Sequence, residues 1–192
     1  MKYKLKKLHS TICTLLISSV LPLTACNSGG GINTRQNNSN SSTLLKVETD
    51  AEKKSRCAKQ AAPEVDWHEC NKSGANLTGA NLTGANLEKT KLYNTNLNGT
   101  IFKMANLKRA NLNLSNLTNA NFESANASSA TFINASVNNT NFEKAKLYNT
   151  NFEGAYFLSG NFKNANLKEI KLKNVVFSPE IVQKNANLAK IL

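Results

Sequence analysis

From Val65 to Pro179 a large apolar residue returns at every fifth position: Leu77, Leu82, Leu87, Leu92, Leu97, Phe102 and onward to Phe177. Two places before it stands a small residue, Ala75, Ala80 and Ala85, later Thr90, Thr95 and Ser115, with Ile170 and Val175 as late exceptions. These 115 residues divide into 23 units of five in a single frame. A step of five turns an α-helix by about 140°, which spreads the apolar centres round the cylinder, so the period excludes a helix. In extended chain, residues two apart share a face. The small and the large residue therefore point inward together, and the other three places point outward or turn. Asn, Thr, Ser and Gly fill those places, which suits corners made by side-chain to backbone bonds or by permissive dihedrals. Four such sides close a coil of twenty residues, and coils stacked at about 4.8 Å build a body about 28 Å long.

The units A-N-L-T-G, A-N-L-E-K and A-N-F-E-S, running in register through 115 of the 192 residues, resemble the pentapeptide-repeat family. That resemblance implies an all-β solenoid in the form of a right-handed quadrilateral β-helix. Stacking by twenty then predicts a column of Leu82, Phe102, Phe122, Phe142 and Phe162, the core ladder that gives a narrow interior its volume. A second column holds Trp67, Leu87, Leu107, Ala127, Leu147 and Leu167, with Phe132 and Phe142 expected to fill the space beside Ala127.

The remaining segments fall in order along the chain. Residues 1–25 read as a lipoprotein signal peptide: four lysines lie within Met1–Lys7, and the mostly apolar run Ile12–Ala25 is too short for a bilayer, which takes about 20 residues. Leu23-Thr24-Ala25-Cys26 resembles a bacterial lipobox with Cys26 as the acylated cysteine, the rival being an ordinary secretory signal cleaved elsewhere. The lipobox resemblance implies several acyl chains, hence stable membrane anchoring. Asn27, standing where an Asp is linked with inner-membrane retention, favours the outer membrane or the periplasmic face of a two-membrane bacterium. Residues 26–48 read as a flexible tether, rich in Gly, Asn and Ser over 27–42 and reaching roughly 20–24 Å. Residues 49–64 read as an N-terminal capping helix with Thr49 or Asp50 as cap and Pro63 as stop. After the repeats of 65–179, Ser178-Pro179-Glu180 predicts a second capping helix over 180–192. Its apolar edge, including Ile181, Val182 and Leu188, either covers the last coil or pairs two copies through that end. Lys72 places a charge at an apolar centre, which predicts a distorted first coil with the amine in solvent.

Once Cys13 has left with the signal and Cys26 is lipidated, Cys57 and Cys70 remain, and in an exported protein an even pair favours a disulfide. A metal site is the rival, but His68 is the one histidine beyond the signal and supplies no fourth ligand. No metal, no cofactor and no catalytic residue is expected: there is no second histidine for a relay and no Gly-rich phosphate loop before a helix. Asp66, His68 and Glu69 read as a solvated rim. K-L-Y-N-T-N occurs at Lys91–Asn96 and again 55 residues later at Lys146–Asn151, which puts the copies on different sides of the coil and reads as duplication.

Charge narrows the function. From Cys26 onward there are 20 basic and 12 acidic residues, and the repeats hold 12 and 7, so the repeat segment is +5. Some pentapeptide-repeat proteins mimic DNA and protect type II topoisomerases, which needs a negative surface. That reading is the least favoured, and no nucleic-acid partner is expected. Polyanion binding through Lys89, Lys108 and Arg109, or through Lys163, Lys168, Lys171 and Lys173, is the alternative, opposed by interleaved Glu88, Glu123, Glu143 and Glu153. The preferred reading is a lipid-anchored envelope protein, a non-catalytic structural or interaction module. Asn76, Thr78, Asn96, Asn98, Asn116, Thr118 and Asn138 form an uncharged strip suited to a glycan or to an envelope protein.

Overall fold

In the computed structural model, residues 47–192 are described; Cys26 and the segments expected to be a signal peptide and most of a tether lie outside them. The period of five is realised as one repeated turn. In each unit the amide of the small residue donates to the carbonyl of the preceding apolar centre, as Ala85 N does to Leu82 O at 3.1 Å. The third residue of that turn takes positive φ at every fifth position from Glu64 to Asn174 except Ser159, seventeen of them non-glycine. This is the left-handed place of a type II turn, which favours Gly and Asn. Gly79, Gly84, Asn94, Asn119 and Asn134 meet the demand, while Lys89 and Glu169 occupy it at φ 55° and 60°.

Between turns, each unit pairs with the units twenty residues before and after it. Parallel bridges join Asn76 to Asn96, Asn96 to Asn116 and Asn116 to Ser136, and the same offset holds on the other three sides. Leu82 N donates to Ile101 O at 2.8 Å, and Ile101 N donates back to Ala80 O at 2.9 Å. Only toward the end do pairs lengthen into two-residue strands: β1 (Thr140–Asn141), β2 (Tyr156–Phe157), β3 (Gly160–Asn161) and β4 (Val176–Phe177). β1 pairs with β3 and β2 with β4, both parallel.

The interior is a stack of apolar side chains. Phe102, Phe122, Phe142 and Phe162 stack with centroids 4.6, 5.0 and 5.1 Å apart, and Phe132 stacks on Phe152 at 4.6 Å. The two ring columns meet edge to face: Phe122 lies 5.9 Å from Phe132, and Phe132 lies 6.3 Å from Phe142. Ala127 is fully buried in this packing, and Leu82 closes its column without exposure. Where the small residue is a hydroxyl, it is buried and satisfied by the coil below. Thr90 donates to Trp67 O, Ser115 to Leu92 O and Thr140 to Leu117 O, at 2.7–2.9 Å and always 23 residues apart. A buried hydroxyl without such a partner costs about 1–3 kcal/mol, so these acceptors are what allow Thr and Ser to replace Ala here.

Helices close both ends. α1 (Asp50–Ala58) starts with a reciprocal capping box between Thr49 and Glu52. It ends at Ala58, short of Pro63, because Lys59 turns extended and offers its carbonyl to Trp67 Nε1 at 3.1 Å. Its Cys57 is joined to Cys70 of the first coil. Glu48, placed by the sequence reading in the tether, instead makes two 2.8 Å contacts with Arg56. The expectation for Lys72 is corrected: Nζ donates to Cys57 O at 2.7 Å and lies 3.9 Å above the Trp67 ring. The coil is not distorted there, since Lys72 N still pairs with Lys91 O at 2.8 Å. Its ammonium lies over the face of the indole and meets the carbonyls of Cys57 and Lys59 at the end of α1, a favourable place for a cation.

The C-terminal helix is broken in two, α2 (Pro179–Lys184) and α3 (Ala186–Ala189). Asn185 breaks it, because its buried side chain is spent on the last coil: Oδ1 accepts from Phe162 N at 2.7 Å, and Nδ2 donates to Gly160 O and Ile181 O. Ile181 and Leu188 are buried against the coil end. A Cβ added at Gly160 would stand 3.1 Å from Thr140 O and in ordinary contact, 3.5 Å, with Ile181 Cδ1.

Candidate functional site

Each coil presents four outward faces, and their chemistry differs. On one, Asp66, Glu69, Glu88, Lys89, Lys108, Arg109 and Lys168 lie along successive coils, with Lys89 bonded to Glu69 at 2.8 Å. Two others carry Lys103 with Glu123 at 3.2 Å, and Glu153 with Lys173 at 3.7 Å. The fourth runs from Asn76 to Ser178 through the bridges Asn76–Asn96, Asn96–Asn116, Asn116–Ser136 and Ser136–Tyr156, then the β2–β4 pair Tyr156–Val176. None of its outward places holds Asp, Glu, Lys, Arg or His.

This neutral face is built from one local motif. Asn76 Oδ1 accepts from Thr78 N at 3.2 Å, Asn96 Oδ1 from Asn98 N at 3.3 Å, and Asn116 Oδ1 from Thr118 N at 3.1 Å. The acceptor half of each amide thus fixes the turn, in the manner of an Asx-turn. The donor half is turned to solvent: among the described residues the Nδ2 groups of Asn76, Asn96 and Asn116 meet no protein acceptor. Beside this column Asn139 donates to Asn119 at 2.7 Å and Asn119 to Asn98 at 3.3 Å. The sequence-predicted strip is therefore one continuous surface as far as Asn138, whose Oδ1 accepts from Leu158 N at 2.9 Å. What the sequence reading missed is its continuation. Tyr156 and Leu158, 52% and 57% exposed, and Val176, 47% exposed, put an aromatic and aliphatic end on the amide column. The signal for it was present in the frame, since Tyr156 stands twenty residues after Ser136.

The titratable cluster sits at the other end, around an open cleft of about 510 Å³ lined by Glu48, Glu52, Arg56, Asp66 and His68. Arg56 is buried, donates to His68 O and to Cys70 Sγ, and is held by Glu48. The bond from Arg56 holds the Glu48 carboxyl below its usual range. Burial pushes Asp66 up, but bonds from the backbone and ring nitrogens of His68 outweigh it and leave it lowered. Burial lowers Lys72. Every strong donor in the cluster faces an acceptor of the cap or the first coil, and the two sulfurs are joined to each other, so the arrangement fastens a helix and offers no free nucleophile. Among the described residues no group of three or more His, Cys, Asp or Glu is placed to hold a metal ion.

Among the described residues no helix is long and apolar enough to cross a membrane. A family model for pentapeptide repeats matches residues 68–103, 105–143, 128–158 and 138–174 in eight copies. Among solved structures, the chain is similar to a pentapeptide repeat protein of the Arabidopsis thaliana thylakoid lumen, at 26% identity over 56% of this chain and 72% of that one, with a TM-score of 0.44. It is similar to the pentapeptide repeat protein Rfr23 of the cyanobacterium Cyanothece 51142, at 27% identity over 59% and 91%, with a TM-score of 0.42. QnrB1, a plasmid-mediated fluoroquinolone resistance protein, superposes at 17% identity over 66% and 85%, with a TM-score of 0.36. No curated protein matches the chain.

Proposed function

The chain belongs to the pentapeptide-repeat family, and from that premise we propose a right-handed quadrilateral β-helix held by lipid on Cys26 at a bacterial cell envelope, where it is a non-catalytic interaction module. The observation that carries this reading is the disulfide between Cys57 and Cys70. Such a bond persists in an oxidising compartment and is rare in the cytosol. It stands downstream of an apolar run that closes on Leu23-Thr24-Ala25-Cys26, so export and anchoring are supported by separate stretches of the chain. The family model describes a repeat and indicates no enzyme, and the polar cluster beside the disulfide is used up in fastening α1.

A second reading, polyanion binding, draws on a cleft of about 420 Å³ at the C-terminal end, where Lys163, Lys184 and Lys190 converge. The +5 repeat segment opposes mimicry of DNA, so the fluoroquinolone resistance of QnrB1 is not proposed for this chain. The test of anchoring is fractionation of cells producing Cys26→Ala beside the parent, with labelled fatty acid. The parent is expected in the membrane fraction and labelled, the variant unlabelled and released. Equal membrane retention with no label in the parent overturns the reading.

A further inference from the structure

The geometry points to the neutral face as the docking surface for an uncharged glycan strand bearing hydroxyl and acetamido groups, running along the coil axis from the Asn76 column to Tyr156. This rests on the interaction-module reading and names its partner. Three observations converge on it. First, the charged outward residues of the repeats all lie on the other three faces, so a polyanion is drawn away from this one and a neutral chain meets no unpaired charge to desolvate. Second, Asn76, Asn96 and Asn116 are locked by their own Oδ1 atoms, which leaves three pre-set amide donors in one line, one per coil, about 4.8 Å apart. Donors already fixed lose little side-chain freedom on meeting the acetamido carbonyls and hydroxyls of a sugar chain. Third, the same column ends on the half-exposed ring of Tyr156 with Leu158 and Val176 beside it, an apolar platform for the flat face of a sugar ring. A second protein is a poorer occupant: stable protein interfaces centre on a buried apolar patch, and here the apolar residues are confined to one end of a long amide strip.

The face can be altered without touching the coil. Asn96→Asp and Asn116→Asp keep the oxygen that accepts from Asn98 N and Thr118 N but replace each free donor with a charged acceptor. The full chain, in detergent, is titrated against insoluble chitin, against dextran sulfate, and alone for self-association. Saturable binding to chitin that survives raised salt is expected. The double variant Asn96→Asp/Asn116→Asp loses two hydrogen bonds and should bind about tenfold more weakly. Tyr156→Ala should bind more weakly too, whereas Asn111→Asp, which keeps the same turn to Asn113 N on a neighbouring face, should bind like the parent. The inference is overturned by no saturable chitin binding, by chitin binding that the face variants leave unchanged, by binding only to dextran sulfate, or by a dimer that Tyr156→Ala dissolves. Unchanged thermal melts in the variants separate lost contacts from lost fold. Membrane fractionation of cells producing the same variants reads the Cys26 anchor independently, so a failed glycan assay with intact anchoring leaves that reading standing.

Discussion

The two ends of the coil face the same difficulty and answer it with opposite chemistry. A terminal coil has backbone groups with no next coil to pair with, and in each case a side chain stands in for the missing one. At the N-terminal end the stand-in is Arg56, which donates to His68 O while Glu48, Asp66 and Lys72 arrange charge around it and a disulfide ties the helix down. At the C-terminal end it is Asn185, whose amide supplies both an acceptor for Phe162 N and a donor for Gly160 O, with Asn187 reaching Phe162 O and Ala165 O. There the closing groups are neutral, and Ile181 and Leu188 supply apolar cover. One closure is ionic and covalent, the other amidic and apolar. They should therefore respond to different perturbations, each felt mainly by its own end, because coils contact only their neighbours.

Reducing the disulfide should produce the largest separation. A loop of thirteen residues is opened, which costs about 3 kcal/mol on the chain-entropy account. Denaturant melts of the oxidised and reduced protein measure the total, and hydrogen exchange locates it. Lost protection is expected in α1 and the coil around Trp67, with that of Phe157 and Phe162 retained. Equal loss at both ends would show that the coil melts as one unit and that the ends are not separable.

Asn185→Ala attacks the other end. It strands Phe162 N and Gly160 O, which predicts a loss of about 1–3 kcal/mol and faster exchange at Phe162. Asn185→Asp keeps the acceptor for Phe162 N and should fall between the parent and the alanine variant. A drop in α1 protection in either variant would contradict independent closure.

Much of this was legible from periodicity. Leu82, Phe102, Phe122, Phe142 and Phe162 could be placed in one column because a coil of fixed length turns sequence distance directly into space. The closures were not legible, because Arg56 and Asn185 act where the repeat stops and nothing local says which carbonyl a docked helix will reach. Lys72 was misread for the same reason: its partner, Cys57 O, belongs to the non-repeating cap. The bonds from Thr90, Ser115 and Thr140 to carbonyls 23 residues earlier follow from the coil length and were open to deduction. The exposed end at Tyr156 was missed because it interrupts a run of Asn and Thr that invited attention to amides alone.

Acid should give the smallest effect and the sharpest contrast. Glu48 is lowered by its bond from Arg56, and Asp66 by bonds from His68 that outweigh burial. A carboxyl with a folded pKa below its unfolded value contributes stability above the ordinary carboxylate range and loses it as pH falls through the folded pKa. From about pH 5 downward α1 should therefore loosen while α2 and α3, closed by amides, do not. Exchange protection that falls first at the C-terminal end would reverse the assignment of charge and amide to the two ends.

The twenty-residue register also sets the grammar by which this chain can lengthen or shorten. Duplicating or deleting four units leaves every column in place, so the outer faces keep their identities while the stack grows or shrinks by one coil. A change of one unit keeps the inward alternation of small and large residues but rotates everything downstream by one face, so an edit inside a ring column breaks that column at the edit. Deleting residues 106–110 would bring Glu123, Glu143 and Lys163 round onto the column line now held by Thr118, Asn138 and Leu158. The core would register the edit once, where Phe122 leaves its stack on Phe102, and the surface along every coil that follows.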